Sequence, residues 1–142
     1  MYPPVTHWGW HPNGWLVVNG YQDFAGSGIV HCLGGVCAGV GCWFMKPRFG
    51  RFTKDGRLID MPGHSVPLAG LGGFILLFGF LAFNGGSQLT ITNEGDAAVI
   101  GLVIVNTIIG GCAGGLVALF IQRVTTGKWS YLVTLNGALT GM

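Results

Sequence analysis

Long stretches without any charged side chain are the feature that most restricts what this chain can fold into. Residues 24–45 contain no Asp, Glu, Lys or Arg, and a stretch of this length matches the ~20 residues that cross the hydrocarbon core of a bilayer. Further uncharged runs cover residues 66–83, 97–121 and 131–142, the last only about half as long as a crossing requires. Charged residues make up 8% of the 142-residue chain, too few for the surface of a soluble domain. The sequence therefore predicts membrane spans at these four places, the fourth incomplete.

These runs are predicted to be α-helices. Strands of a transmembrane barrel are short and alternate between apolar and polar residues, whereas these runs are longer and do not alternate. The predicted fold class is an all-α, multi-pass membrane protein. Two groups of glycines would let the backbones of neighbouring helices approach closely: Gly34, Gly35, Gly39 and Gly41 in the first run, and Gly110, Gly111, Gly114 and Gly115 in the third.

The basic residues predict the orientation in the membrane. All seven Lys and Arg lie either between the first two runs or just before the fourth. By the positive-inside rule both connections face the cytoplasm, which leaves residues 1–22 and 84–96 outside. A net charge of +2 that is so localised also excludes an extended nucleic-acid-binding surface.

The sequence predicts neither a metal site nor an enzyme. All four cysteines lie within apolar runs and are interpreted as packing residues. Steps of five residues turn side chains by about 140° around a helix, so His31, Cys32, Cys37 and Cys42 would not converge on one metal ion. The GSG at residues 26–28 is not a dinucleotide-binding motif, because His31 occupies its third glycine position. No cofactor is expected.

Two ionisable residues belong to the first run or its edge. His31 lies about two turns inside it, where an ionisable group is a functional candidate, although a neutral histidine that packs against a neighbouring helix is the alternative. Asp23 immediately precedes the run, and its carboxylate can cap the free backbone donors of the helix start. Such a cap would also leave negative potential at the outer mouth, which favours a cation there.

Trp10 and Ser87 belong to the two outer connections. An indole face and a hydroxyl acceptor are suitable for holding a small cation, and cation–π attraction can contribute ~2 kcal/mol. The alternative interpretation is an interfacial anchor for the tryptophan and a turn residue for the serine.

Four segments of the chain resemble the ammonium transporter family of the Amt type. They are DFAGSGIVH (residues 23–31), MPGHSVPLAGLGGFILLFGFLAFNGGS (61–87), VNT (105–107) and GKWSYLVTLNGALTGM (127–142). The aspartate followed eight residues later by a histidine, together with FNGGS, is highly specific for this family, and LLFGFLAFNGGSQ resembles its animal branch. The resemblance covers essentially the whole chain.

The resemblance implies a partial ammonium transporter fold: three and a half of about eleven membrane helices, arranged in two inverted halves and assembled as a homotrimer. The whole chain would be the central part of a single transporter domain. Trp10 and Ser87 resemble the outer recruitment site, Asp23 the carboxylate behind it, Phe83 one of two stacked gate phenylalanines and His31 the first of two pore histidines. The second histidine and the other gate residue belong to helices outside this chain.

The implied partners are ammonium or ammonia and membrane lipid, and the implied location is the plasma membrane. Because half of the pore residues are missing, the 142-residue chain alone is not expected to conduct. Two alternatives remain open at this point: a truncated, non-transporting scaffold that associates with full-length subunits through its glycine faces, and an incomplete gene product.

Overall fold

A computed structural model describes all 142 residues and consists of helices, with the longest connection, residues 46–65, between α3 and α4. The helices are α1 (Tyr2–Trp10), α2 (Trp15–Val18), a π-helical segment (Ser27–Cys32) that continues as α3 (Leu33–Met45), α4 (Val66–Gly86), α5 (Asp96–Thr126) and α6 (Tyr131–Gly141). The remaining regular structure is one isolated antiparallel bridge between Phe52 and Leu58. The all-α prediction is therefore confirmed.

Three helices are long and apolar enough to cross a membrane: Ser27–Met45, Val66–Gly86 and Asp96–Thr126. Large apolar side chains are mostly exposed in this chain, whereas a soluble protein buries many of them. Ile29, with 1% exposure, is the only large apolar side chain that is buried. The side chains of Phe74 and Phe78 on α4 are 68% and 75% exposed. Apolar surfaces of this extent are suited to lipid or to further helices.

The chain divides into two compact units, Met1–Pro62 and Gly63–Met142. In the first unit α1 packs on α2 and on the π-helical segment. Gly9 permits the second contact, since a Cβ there would overlap the side chain of Ile29. Residues 1–22, predicted to be an outer connection, thus contain two short helices. With nine and four residues, these helices are too short for a hydrophobic period to be recognised in the sequence.

The second unit is formed by α4, α5 and α6. Serine caps begin two of these helices: Ser65 Oγ accepts from the Leu68 N–H at 3.3 Å, and Ser130 Oγ accepts from the Val133 N–H at 3.4 Å. Pro67 lies in the first turn of α4, where its missing N–H is not needed. Gly127, with a φ of 69°, ends α5 in the left-handed conformation.

The α5–α6 contact is made by glycines. A Cβ at Gly110 would overlap the carbonyl of Gly141, and one at Gly114 would overlap the carbonyl of Gly137, so the two backbones touch directly. The glycines of the first run differ, because a Cβ at Gly34, Gly35, Gly39 or Gly41 would meet open space. Within this chain, the glycines of α5 therefore allow two helices to approach closely, as predicted, whereas the glycines of α3 contact no other helix.

Candidate functional site

Asp23 organises the backbone that leads into the first long helix. Its Oδ1 accepts from the Gly26 N–H at 2.6 Å, and its Oδ2 accepts from the N–H groups of Gly28 and Ile29, both at 2.9 Å. The Tyr21 hydroxyl donates to Oδ2 at 3.0 Å. The side chain is buried, with 9% exposure. Asp23 thus accepts four hydrogen bonds, one at Oδ1 and three at Oδ2, and acts as the cap of this helix start.

Two glycines allow this cap to form. Gly26 has a φ of 103°, a conformation that residues with a Cβ rarely adopt, and a Cβ there would also collide with Val30. A Cβ at Gly28 would overlap the Tyr21 hydroxyl. The two glycines of the GSG sequence are thus required by backbone geometry and by the close approach of Tyr21.

The ionisation of Asp23 reflects these contacts. Burial opposes its charged form, but the N–H groups of Ile29 and Gly26, the Tyr21 hydroxyl and the Gly28 N–H outweigh that effect and hold the pKa of the carboxyl below its usual value. Burial, followed by the hydrogen bond to Asp23, raises the pKa of Tyr21. The pair therefore consists of a carboxylate and a neutral phenol at neutral pH.

Trp10 is joined to the same structure. Its indole Nε1–H donates to the backbone carbonyl of Asp23 at 2.6 Å, and its ring lies beside Gly26, 3.6 Å from the position that a Cβ would take. The side chain remains 39% exposed. The first unit thus brings together Trp10 and Asp23, with the N–H edge of the indole fixed and part of the ring accessible.

His31 lies in the π-helical segment, which is wider than an α-helix. Its N–H donates to the carbonyl of Gly26 at 2.9 Å, five residues earlier, and the Val30 N–H shares the same carbonyl. Segments of this kind are frequent at functional sites. The side chain of His31 is exposed on the surface of this unit, so its burial in a membrane depends on groups beyond those of the first unit.

In the second unit Phe83 and Ser87 lie one turn apart at the end of α4. The Ser87 hydroxyl donates to the carbonyl of Phe83 at 2.8 Å, and the Ser87 N–H donates to the same carbonyl at 3.1 Å. The hydroxyl proton is therefore committed, and the oxygen keeps its lone pairs for a donor. The Phe83 side chain is 47% exposed.

Sequence reasoning missed a polar network beside this pair. Asn84, 8% exposed, donates from Nδ2 to Thr107 Oγ1 at 3.0 Å and to the Met142 carbonyl at 3.1 Å. Thr107, 4% exposed, donates in turn to the Val103 carbonyl at 2.8 Å. The network links α4, α5 and the end of α6. An asparagine directly after the apolar run of residues 66–83 was the available signal, because polar groups within membrane helices need partners.

Tyr21 was the second residue missed. A tyrosine two residues before the aspartate is within reach of its carboxylate, but only the turn at residues 24–26 brings its hydroxyl to Oδ2. The same turn delays the first long helix to Ser27, whereas the span was predicted from Phe24.

Comparisons with known proteins agree with one another. The family model described as Ammonium Transporter Family matches residues 1–142. A Caenorhabditis elegans protein named Putative ammonium transporter 1 is 45% identical over 100% of this chain and 28% of its own length. Two Arabidopsis thaliana proteins, Ammonium transporter 1 member 2 and Putative ammonium transporter 1 member 5, are 38% and 40% identical over 99% of this chain. These matches cover 31% and 32% of the two plant proteins. The chain thus spans about a third of the length of its curated relatives, and its match to the family model from end to end shows that it belongs to the ammonium transporter family.

Proposed function

We propose that this chain forms the central part of an ammonium transporter, including one wall of its outer cation-recruitment site and the first of its pore histidines. The observation that carries the proposal is the hydrogen bond from the Trp10 indole to the Asp23 carbonyl. It attaches an accessible aromatic face to the same turn that begins the helix of His31. One segment of the first unit therefore carries both the side chain proposed to recruit the cation and the histidine proposed for the pore.

The recruitment step uses what remains available on Trp10 and Ser87. The indole N–H is occupied, so the group that can attract a cation is the ring face. The Ser87 hydroxyl proton is occupied as well, so its oxygen can accept a hydrogen bond from an ammonium N–H. Asp23 is buried, with 9% exposure, beneath the donors of its own turn, and in this proposal it contributes through its negative charge.

The pore step depends on the difference between ammonium and simple metal cations. Moving a bare ion into a medium of low dielectric constant costs tens of kcal/mol on Born arguments, and potassium has no means of losing its charge. Ammonium can release a proton and continue as neutral ammonia. In the proposed mechanism His31 hydrogen-bonds the neutral solute or relays the proton, and Phe83 serves as part of an apolar gate.

Location and assembly are parts of the same proposal. The open glycines of α3 and the exposed apolar faces of α4 favour further transmembrane helices as neighbours, within one subunit or in a homotrimer of the family type. A plasma-membrane location follows from the proposed role in ammonium uptake. The four predicted spans would then be parts of a single transporter domain.

The test is ammonium flux through full-length protein in proteoliposomes, with potassium as the competing cation. His31→Ala should abolish or sharply alter selective flux, whereas His7→Ala, at an exposed position of α1, should not. Unchanged flux and unchanged ammonium-over-potassium selectivity in His31→Ala would contradict the assignment.

Recruitment is tested separately by the half-saturating ammonium concentration. Trp10→Leu should raise it by up to about 30-fold, the equivalent of a ~2 kcal/mol cation–π interaction. The matched control is Trp15→Leu, which removes an exposed indole from the same region. Equal effects of the two variants would assign Trp10 to interfacial anchoring instead.

A further inference from the structure

The connection that follows α3 has an ordered fold and a concentration of positive charge. Residues 46–60 hold five of the seven Lys and Arg residues of the chain, with Asp55 and Asp60 as the acidic ones. Within it, residues 48–60 form what we call the basic hairpin. This segment belongs to none of the proposed transport steps.

Backbone hydrogen bonds define the basic hairpin. The Thr53 N–H donates to the Arg57 carbonyl at 2.9 Å, and the Ile59 N–H donates to the Arg51 carbonyl at 2.8 Å. Gly56, with a φ of 78°, supplies the left-handed residue of the turn. The hairpin therefore presents its side chains in a defined arrangement, unlike a flexible charged loop.

An open crevice of ≈ 490 Å³ lies at the base of the hairpin, lined by Pro47, Arg48, Arg51, Phe52 and Met61. Two of these lining residues are arginines and three are apolar. Arg51 is held in place by donation to the Ile59 carbonyl at 2.7 Å, and the exposed Asp60 carboxylate is 3.9 Å from it. Guanidinium groups bind phosphate oxygens through paired hydrogen bonds, so the crevice is suited to a phosphate attached to an apolar group.

Exposed aromatic residues lie close in sequence to the residues that line this crevice. Phe49, between Arg48 and Gly50, is fully exposed at 105%, and Trp43 and Phe44 at the end of α3 are each 83% exposed. Lys46 follows directly after the helix. Basic and aromatic residues at the end of a membrane span are typical of segments lying in the headgroup region.

We propose that the crevice of Arg48 and Arg51 binds the headgroup phosphate of an anionic phospholipid, with Phe49 inserted beside it into the acyl region. An anionic lipid is favoured by charge complementarity, because residues 46–60 contain five basic and two acidic side chains and so carry a net positive charge. The apolar lining accounts for a lipid in preference to a free anion. The positive-inside orientation places the site on the cytoplasmic leaflet, where anionic lipids are enriched.

The test measures lipid binding to full-length protein in detergent by native mass spectrometry, with phosphatidylserine and phosphatidylcholine as probes. Phosphatidylserine should bind in preference to phosphatidylcholine. Arg48→Gln should weaken phosphatidylserine binding about tenfold, the loss expected when a hydrogen bond between charged groups is removed. Lys54→Gln removes the same charge from the hairpin turn, outside the crevice, and should change binding less than about twofold.

A second variant tests the role of the acyl chains. Phe49→Ser should weaken binding of long-chain phosphatidylserine but leave binding of its short-chain, water-soluble analogue unchanged. Three results would overturn the proposal: no preference for phosphatidylserine over phosphatidylcholine, equal losses in Arg48→Gln and Lys54→Gln, or displacement of the lipid by millimolar inorganic phosphate. The second would indicate diffuse electrostatic attraction, and the third a site for free anions.

Discussion

The cap formed by Asp23 makes a strong prediction about stability. In Asp23→Ala the N–H groups of Gly26 and Ile29, both buried, lose their acceptor. Gly28 and Tyr21 are half-buried, so the Gly28 N–H and the Tyr21 hydroxyl can donate to water instead. A buried donor without a partner costs about 1–3 kcal/mol, so the free energy of unfolding should fall by about 2–6 kcal/mol. Asp23→Asn keeps one oxygen but turns an NH₂ group toward N–H donors, and the loss should be about 2–3 kcal/mol.

The measurement is unfolding of full-length protein in mixed micelles, followed by tryptophan fluorescence. Asp60→Asn is the matched control, since it makes the same chemical change at a side chain that is 90% exposed and 3.9 Å from Arg51. It should alter stability by less than about 0.5 kcal/mol. If Asp23→Asn proved as stable as Asp60→Asn, the four hydrogen bonds would not contribute as argued.

The same variants predict a pH dependence. The pKa of Asp23 is lower in the folded protein than its usual value, so its contribution is complete above the unfolded pKa of about 3.9 and is lost as pH falls through the lower folded pKa. The stability difference between wild type and Asp23→Asn should therefore be constant from about pH 8 to 5 and narrow below about pH 4. A difference that stays the same down to about pH 3 would refute the linkage.

Two further predictions concern the second unit and use the same unfolding measurement. Asn84→Ala should lower stability by about 1–2 kcal/mol, because two hydrogen bonds between helices are lost; no measurable change would mean that the network is energetically neutral. Gly114→Ala should destabilise by about 1–3 kcal/mol, because the added methyl group overlaps a facing carbonyl. Gly39→Ala meets open space within this chain, so a loss of stability in full-length protein would come from the further helices proposed to pack on α3. Unchanged stability in Gly114→Ala would contradict the packing described for α5 and α6.

The uncharged runs and the short motifs of the sequence are enough to indicate the class of protein and its family. Uncharged runs of about 20 residues must satisfy their backbone groups internally in lipid, so residues 24–45, 66–83 and 97–121 could be predicted as helices without knowledge of their neighbours. The DFAGSGIVH and FNGGS segments were specific enough to indicate the family, which the family model confirmed. The roles assigned to Trp10, Asp23, His31, Phe83 and Ser87 stay predictions until transport is measured.

How the predicted residues are held depends on contacts that form only in the folded chain. The bond from Trp10 to the Asp23 carbonyl crosses thirteen residues, and the bond from Asn84 to Thr107 crosses twenty-three. Neither spacing has a periodicity that could be recognised in a sequence. The π-helical hydrogen bond of His31 and the left-handed Gly26 likewise follow from the fit of α1 and Tyr21 against this turn. Local patterns predict which segments are helices in a membrane, but the contacts between distant segments depend on side-chain shapes that meet only in the folded chain.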